Sequence, residues 1–354
     1  MSNLVSDPQV IAPNFKRRLS GVTTTLLRVV PVQARFLRIA ALGPVLPEET
    51  PQIRFGDLWR LRGSPEGRPF RIWHARRNIE MLGGVVLRDL LGFRMKLVFT
   101  SASQRKHTRW SRFLIRRMDA VIATSPATAS YLKRTSTVVM HGIDAETFRP
   151  ATPGEARPAP LPHGGRLVGC FGRIRAQKGT DVFVEAMIRV LPGRSGVTAV
   201  VLGRATAEHQ GFLEGLKARV AEAGLTDRIL FPGEVGPTET PPWYRSLDLF
   251  IAPQRWEGFG VTPLEAMASC VPVVATTVGA FPELVEAGLT GTLIPPGDVD
   301  AMAGAASRWL DDQQAMKAAG QAGRERVKTV FSLEVEARGI NAVYEALWDS
   351  PQST

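Results

Sequence analysis

Short apolar runs of strand length alternate with helix-length amphipathic stretches along almost the whole chain, and one proline- and glycine-dense window interrupts them. That window, residues 149–165, holds five prolines and three glycines and cannot propagate helix or central strand. After it the rhythm is regular: strands over 167–171, 197–202, 228–231, 248–252, 272–275 and 289–294, with helices over 180–190, 211–223, 263–268 and 281–286 between them. Before it the same alternation is less clean. Strands are expected over 9–12, 36–42, 71–74, 96–100, 120–124 and 137–140, with helices over 22–32 and 79–91. Strand, helix, strand at this spacing builds βαβ units, hence parallel sheets covered by helices on both faces. The 354 residues suffice for two such doubly wound α/β domains, with a ligand cleft at the carboxyl ends of their strands. The expected division is an amino-terminal domain over 1–148, a linker over 149–165, a second domain over 166–330, and a terminal helix over 331–354 that crosses back to the first domain.

Composition enters through charge. Residues 1–150 carry 25 Lys and Arg against 10 Asp and Glu, whereas residues 151–354 carry 19 against 23. One half therefore faces an anionic partner: nucleic acid, an anionic membrane surface or an acidic substrate. With 44% hydrophobic and 22% charged residues, the chain falls in the soluble globular class. No run approaches the roughly 20 apolar residues of a membrane span, and Met1–Pro8 reads as no secretory signal. Cys170 and Cys270 lie in apolar strand-like surroundings, outside any CxxC or His/Cys cluster, and read as buried thiols rather than a disulfide or metal pair.

Two segments carry chemistry. Arg255 to Ala268 follows a strand and turns through Gly258 and Gly260 into a helix, with Thr262 expected as N-cap, Pro263 at the first helical position and Glu265 as its capping-box partner. The free N–H groups at such a start, Val261 and Thr262 among them, suit a phosphate. A cap accounts for one glutamate and leaves Glu257 without a role. The second segment, Phe171 to Asp181, sits where the next domain's first strand turns into its first helix. There a glycine admits close approach of a ligand, and Arg173 and Lys178 offer charge for two phosphates from one loop. Its spacing is not that of a P-loop. Asp298-Val299-Asp300 spells a DXD triplet, but it follows Pro-Pro-Gly and opens an alanine-rich helix, so helix capping is the better account.

Glu257 and Glu265, with seven residues between them and preceded by the pair Arg173 and Lys178, resemble the retaining glycosyltransferases of family 4, which have the GT-B fold of two Rossmann-like domains. The resemblance implies that Arg173 and Lys178 bind the donor diphosphate, that Glu257 holds donor-sugar hydroxyls and that Glu265 holds the ribose. It places Gly258, Phe259, Gly260, Val261 and Thr262 along the donor. His141-Gly142-Ile143-Asp144 is similar to the family element before the second domain, whereas Val201-Leu202-Gly203-Arg204 departs from a common G-x-G. Ser20-Gly21-Val22-Thr23-Thr24 is similar to the family's glycine turn, which puts Gly21 near the donor phosphate. By the same resemblance His74, at the end of a strand, lies beside the reacting sugar. No metal or other cofactor is implied, because the diphosphate leaves once its charge is neutralised, and the departing oxygen accepts the acceptor proton with retention of configuration.

The acceptor side rests on charge and pattern. Lys16, Arg17, Arg18, Arg76 and Arg77 cluster near the expected acceptor approach. Residues 104–118 hold six Lys or Arg and no acid, with Trp110, Phe113, Leu114 and Met118 expected along one helical face. Arg105, Lys106, Arg109, Trp110, Arg112, Phe113, Arg116 and Arg117 then read as membrane-facing, against a plain alternative of a core stripe with a solvated basic back. The stretches 20–25, 72–78 and 172–179 resemble rhizobial-type lipopolysaccharide core mannosyltransferases. That resemblance implies GDP-mannose as donor, the inner Kdo of a lipid-linked saccharide as acceptor, and peripheral work at the cytoplasmic face of the inner membrane. A UDP-sugar transferase is the near alternative, and an epimerase or phosphorylase on the same fold a further one. A nucleic-acid-binding protein is the alternative of another class; with 7% aromatics and no reading motif, no nucleic acid is expected as partner.

Overall fold

The computed structural model describes residues 4–17 and 21–350. Two compact units result: one spans the chain up to Gly142 and resumes at Leu333, the other is Ile143–Ser332. Each holds one six-stranded sheet in which every pairing is parallel.

In the first unit the strands are β1 (Val10–Pro13), β2 (Ile39–Leu42), β3 (Arg71–Ala75), β4 (Met95–Ser101), β5 (Ala120–Ala123) and β6 (Thr137–Val138), ordered β2-β1-β3-β4-β5-β6. Helices α1 (Gly21–Gln33), α2 (Asn78–Val85), α3 (Arg109–Arg116) and α4 (Pro126–Ser130) connect them. Apart from the exposed Lys96 and the half-buried Ala120, the first five strands are buried along their length, so they read as largely apolar runs rather than alternating ones. The period of two still sorts their side chains. Val10, Ile72, Val98 and Ile122 pack on one face against α1, and Ile11, Trp73, Leu97 and Val121 on the other against Leu114 and Ile115 of α3.

The second unit comprises β7 (Arg166–Phe171), β8 (Val197–Leu202), β9 (Ile229–Gly233), β10 (Leu249–Ala252), β11 (Val273–Thr276) and β12 (Gly291–Ile294), ordered β12-β11-β10-β7-β8-β9. Its helices are α5 (Thr180–Val190), α6 (Gln210–Glu222), α7 (Thr240–Arg245), α8 (Thr262–Ala268), α9 (Phe281–Leu284), α10 (Val299–Asp311) and α11 (Gln313–Val330). One sheet face packs on α5 and α10 through Val168, Cys170, Phe183 and Met302. Phe171, Tyr244, Phe250 and Phe148 form an aromatic cluster, with ring centroids 4.7–5.7 Å apart along its edges.

A last helix, α12 (Leu333–Asp349), packs in the first unit, laying Leu333, Ala337, Ile340, Val343, Tyr344 and Trp348 onto the α1 face of the sheet.

The strand orders locate the ligand positions. Successive strands step to opposite sides between β1 and β3 in the first unit and between β7 and β10 in the second. In open parallel sheets the crevice beyond the carboxyl ends of such a strand pair is where ligands bind.

The unit boundary differs from the expected linker. It falls at Gly142, and the proline-rich segment belongs to the second unit. There Glu155 is held by Arg149 (2.9 Å) and Arg245 (2.7 Å), and Arg157 donates to the carbonyls of Pro162, Gly164 and Gly165. Prolines exclude regular structure there, but fixed side-chain bonds and the buried Leu161 make the segment a packed coil.

Candidate active site

In the second unit, β7 ends at Phe171 and the chain passes Arg173, exposed and without an ion-pair partner among the described residues, to a 3-10 turn, Ala176–Lys178. Lys178 and Glu257 meet as an ion pair, Nζ on Oε2, although 79 residues separate them. The other carboxylate oxygen of Glu257 accepts from the Gly258 N–H at 2.9 Å. Arg255 fastens the two loops together. Its guanidinium donates to both Asp181 oxygens at 2.7 Å and to the Ala176 carbonyl at 2.6 Å, and its backbone N–H donates to the Gln177 carbonyl at 3.0 Å.

Two glycines make this approach possible. Gly179 has φ +70°, and a Cβ there would lie 1.8 Å from the Pro253 carbonyl oxygen. Gly260 has φ +86°, and its Cβ would lie 2.3 Å from a ring carbon of Phe281 and 2.8 Å from Cγ of Glu257. Only glycine serves at either position.

The start of α8 corrects the capping expectation. Val261 is the N-cap, Thr262 is the first helical residue, and no side chain caps the helix. Thr262 Oγ1 is buried without a hydrogen-bond partner. Glu265 falls at the fourth helical position, one beyond that of a capping-box glutamate, and its side chain is buried. Phe259 is buried as well, and its carbonyl accepts from Ala280 N–H at 3.1 Å. Gln254, at the end of β10, is buried with its Oε1 unpartnered. Asp298 caps α10, accepting from Ala301 N–H at 2.8 Å, as its sequence context suggests. Cys170 is a buried free thiol pushed up to about 12 by its burial; Cys270 is free and half-buried.

In the first unit, the residues after β1 and β3 build a polar network. Arg77 donates to Asn14 (2.8 Å), Glu80 (2.7 Å) and Thr23 (2.9 Å), while Glu80, fully buried, also accepts from the Arg76 N–H at 2.8 Å. Arg77, read from sequence as acceptor-binding, is therefore committed inside the unit. Arg76 is not: its Nη1 is buried without a hydrogen-bond partner, and no carboxylate among the described residues pairs with it.

His74 also departs from expectation. It shares the strand face of Ile72 and so points at α12. The ring is fully buried; Nδ1 bonds the Tyr344 hydroxyl and Nε2 bonds Thr100 Oγ1 at 2.7 Å. Burial, and then the nearby Arg76 charge, hold its pKa well below 6.5, so it is a neutral histidine with both nitrogens occupied. In this arrangement the ring is enclosed by its own unit, between α12 and β4.

Gly21 opens α1 with free space beside it, and Lys16 and Arg17 are exposed; Arg18 lies outside the described residues, as does Ser20 of the glycine turn. In α3 the expected single face divides. Leu114, Ile115 and Met118 enter the core, whereas Trp110 and Phe113 are half-exposed and stacked, with centroids 5.6 Å apart. Arg105, Lys106, Arg109, Arg112, Arg116 and Arg117 are all exposed, the last paired with Asp89. No helix among the described residues is long and apolar enough to cross a membrane.

Sequence reasoning missed Arg255 and Asp181 as the fastening pair, Gln254 as a buried orphan, and Tyr344 as the partner of His74. Arg255 and Asp181 sit inside the two motif segments, so their opposite charges were the available signal. Nothing local pointed to Tyr344.

Comparison with known proteins supplies the family. The family model for group 1 glycosyl transferases matches residues 165–312. The lipopolysaccharide core biosynthesis mannosyltransferase LpsB of Rhizobium meliloti is 58% identical over 348 residues, 97% of this chain and 99% of that protein. LpcC of Rhizobium leguminosarum bv. viciae, of the same description, is 50% identical over 97% of each chain. Among solved structures, Anabaena HepE in complex with UDP and glucose matches with a TM-score of 0.75 at 19% identity, covering 96% of this chain and 100% of that one, a likeness of fold. With two relatives similar end to end and the glutamate pair set on a GT-B fold, the chain belongs to the group 1 glycosyltransferases, among the lipopolysaccharide core mannosyltransferases.

Proposed function

We propose that this enzyme transfers mannose from GDP-mannose to the inner Kdo of a lipid-linked core saccharide, with retention and without a metal, at the cytoplasmic face of the inner membrane. The observation that carries the reading is the end-to-end 58% identity to a core mannosyltransferase. Arg173 and Lys178 neutralise the leaving diphosphate, Glu257 holds the sugar hydroxyls, and Glu265 holds the ribose. Catalysis then consists of charge neutralisation at the departing oxygen, which takes the acceptor proton on the same face. Arg76 supports an acidic acceptor, because a partly buried guanidinium without a counterion gains a charge-assisted bond when a carboxylate arrives. The basic α3 with Trp110 and Phe113 outward fits an anionic bilayer where such an acceptor resides.

The test is calorimetry of GDP-mannose, UDP-glucose and UDP-N-acetylglucosamine with chelator present, followed by transfer to a Kdo-terminated lipid and NMR of the new anomeric centre. Binding and transfer of GDP-mannose alone, with an α-linked product, is the expected result. Preference for a UDP-sugar overturns the donor, and loss of turnover with chelator overturns metal independence.

A further inference from the structure

Exposed apolar side chains are distributed as unevenly as charge. Of fifteen large hydrophobic residues exposed among the described residues, twelve lie between Leu4 and Val138 and only Leu289 and Val330 belong to the second unit. α3 supplies two of the twelve. The most exposed of all are elsewhere: Leu90 at 78% and Trp59 at 62%.

These two belong to one surface. Trp59 sits on a 3-10 segment, Phe55–Leu61, and meets Phe93 edge-on with centroids 6.1 Å apart. Arg62, following that segment, lies over the Trp59 ring at 5.7 Å, and its carbonyl accepts from Arg94 N–H at 3.0 Å. The segment thus runs beside the turn that begins at Leu90 and Leu91. That turn ends a π-helical extension of α2, Val86–Leu90, which lies along α3. Asn78 bonds Ser111 at 2.8 Å at one end, and Arg88 reaches Asp119 at 2.8 Å and the Arg117 carbonyl at 3.1 Å at the other. The surface is continuous with α3 and carries its own cations, because Arg60 and Arg62 have no carboxylate partner among the described residues.

We propose that the Trp59, Leu90 and Leu91 surface is a second anchor on an anionic lipid bilayer, separate from Trp110 and Phe113. The inference rests on the membrane reading of α3 and extends it. A tryptophan with an arginine stacked on it, beside two leucines and further cations, is the combination that partitions at the headgroup boundary: apolar bodies enter the acyl edge while the guanidinium groups meet lipid phosphates. The run of α2 and its extension, 13 residues, spaces the anchors by on the order of 15–20 Å. Two separated anchors fix the rotation of the unit on the membrane, which one helix alone leaves free.

The experiment is sedimentation of the full chain with vesicles of phosphatidylglycerol and phosphatidylethanolamine, and with phosphatidylcholine alone. Three forms are compared: the natural chain, Trp59→Ala/Leu90→Ala, and Trp110→Ala/Phe113→Ala. Melting temperature and GDP affinity serve as folding controls. The expected result is anionic-vesicle binding by the natural chain and a loss of about tenfold in partitioning for each double variant, in the range that removing a buried apolar anchor produces. Brominated lipid should quench tryptophan fluorescence in Trp110→Ala/Phe113→Ala, and less when Trp59→Ala is added. If only the α3 variant loses binding, the second anchor is overturned while the membrane reading stands. If the natural chain binds no vesicle, both fall. If Trp59→Ala/Leu90→Ala leaves vesicle binding intact and instead dissociates a dimer, the surface is a protein interface and the proposal is overturned.

Discussion

Glu257→Gln separates two roles that the ion pair with Lys178 combines. In the free enzyme the two charges already neutralise one another, so a diphosphate that recruits Lys178 competes with Glu257. The side chains are 22% and 18% exposed. Fully exposed pairs contribute about 0.2–1 kcal/mol, and breaking a fully buried one costs about 3–5 kcal/mol. For this intermediate burial about 1–2 kcal/mol applies, or roughly five- to thirtyfold in affinity. Glutamine keeps the shape and the contact with Gly258 but releases Lys178. GDP should therefore bind Glu257→Gln up to that much more tightly than the natural enzyme, while Lys178→Ala binds it more weakly. Turnover of GDP-mannose should move the other way. Loss of a charged partner for the sugar hydroxyls costs about 1.5–3 kcal/mol, hence roughly 10- to 100-fold in rate. Calorimetry with GDP beside initial rates at saturating donor reads both quantities. A Glu257→Gln enzyme that binds GDP as weakly as Lys178→Ala would refute the competition argument, since the carboxylate would then be assisting the phosphate site.

Four other substitutions test the supports of the site. Arg76→Gln should raise the acceptor KM about tenfold and leave donor affinity and melting unchanged, whereas Arg77→Gln strands the buried Glu80 and should cost about 3–5 kcal/mol of stability in denaturant unfolding. Gly179→Ala adds a left-handed penalty of about 1–2 kcal/mol to a backbone clash, so both melting temperature and GDP affinity should fall. His74 has a folded pKa below the ordinary 6.5, so under about pH 6.5 the unfolded chain takes up a proton that the folded chain refuses. Stability should then drop by up to about 1.4 kcal/mol per pH unit as pH falls, and His74→Gln should flatten that slope between pH 6.5 and 5.

Most of the fold was legible in the sequence because parallel strands buried on both faces leave short apolar runs with little ambiguity. The expected helix over 180–190 and strand over 197–202 coincide with α5 and β8. The unit boundary was not legible, because proline density reports where regular structure stops and says nothing of whether side chains such as Arg149, Glu155 and Arg245 pin the coil down. In the site, local motifs placed Lys178 and Glu257 each just after a strand but left their pairing unseen. It depends on β7 and β10 lying side by side and on the contact of Arg255 with Asp181 across 74 residues. The two arginines after β3 were indistinguishable by type. Only geometry separates Arg77, consumed by Asn14, Thr23 and Glu80, from Arg76, left with an unpaired charge.

The same reasoning explains why a histidine at a strand end is enclosed within its own unit. A strand side chain faces whatever covers its side of the sheet, and for His74 that cover is α12, which joins the first unit only after the chain has built the whole of the second. The Tyr344 hydroxyl on that helix occupies Nδ1, and Glu336 accepts from Gly142 N–H at 2.8 Å while also bonding His141 at 2.8 Å. One helix thus braces both the strand that presents Arg76 and the residues where the chain leaves the unit. The bracing gives Arg76 a fixed, uncharged neighbour. A protonated His74 would repel the Arg76 guanidinium, and the neutral ring adds no such charge. His74 is thus held neutral between Tyr344 and Thr100, while Arg76, two residues later, keeps a guanidinium that pairs with no carboxylate among the described residues.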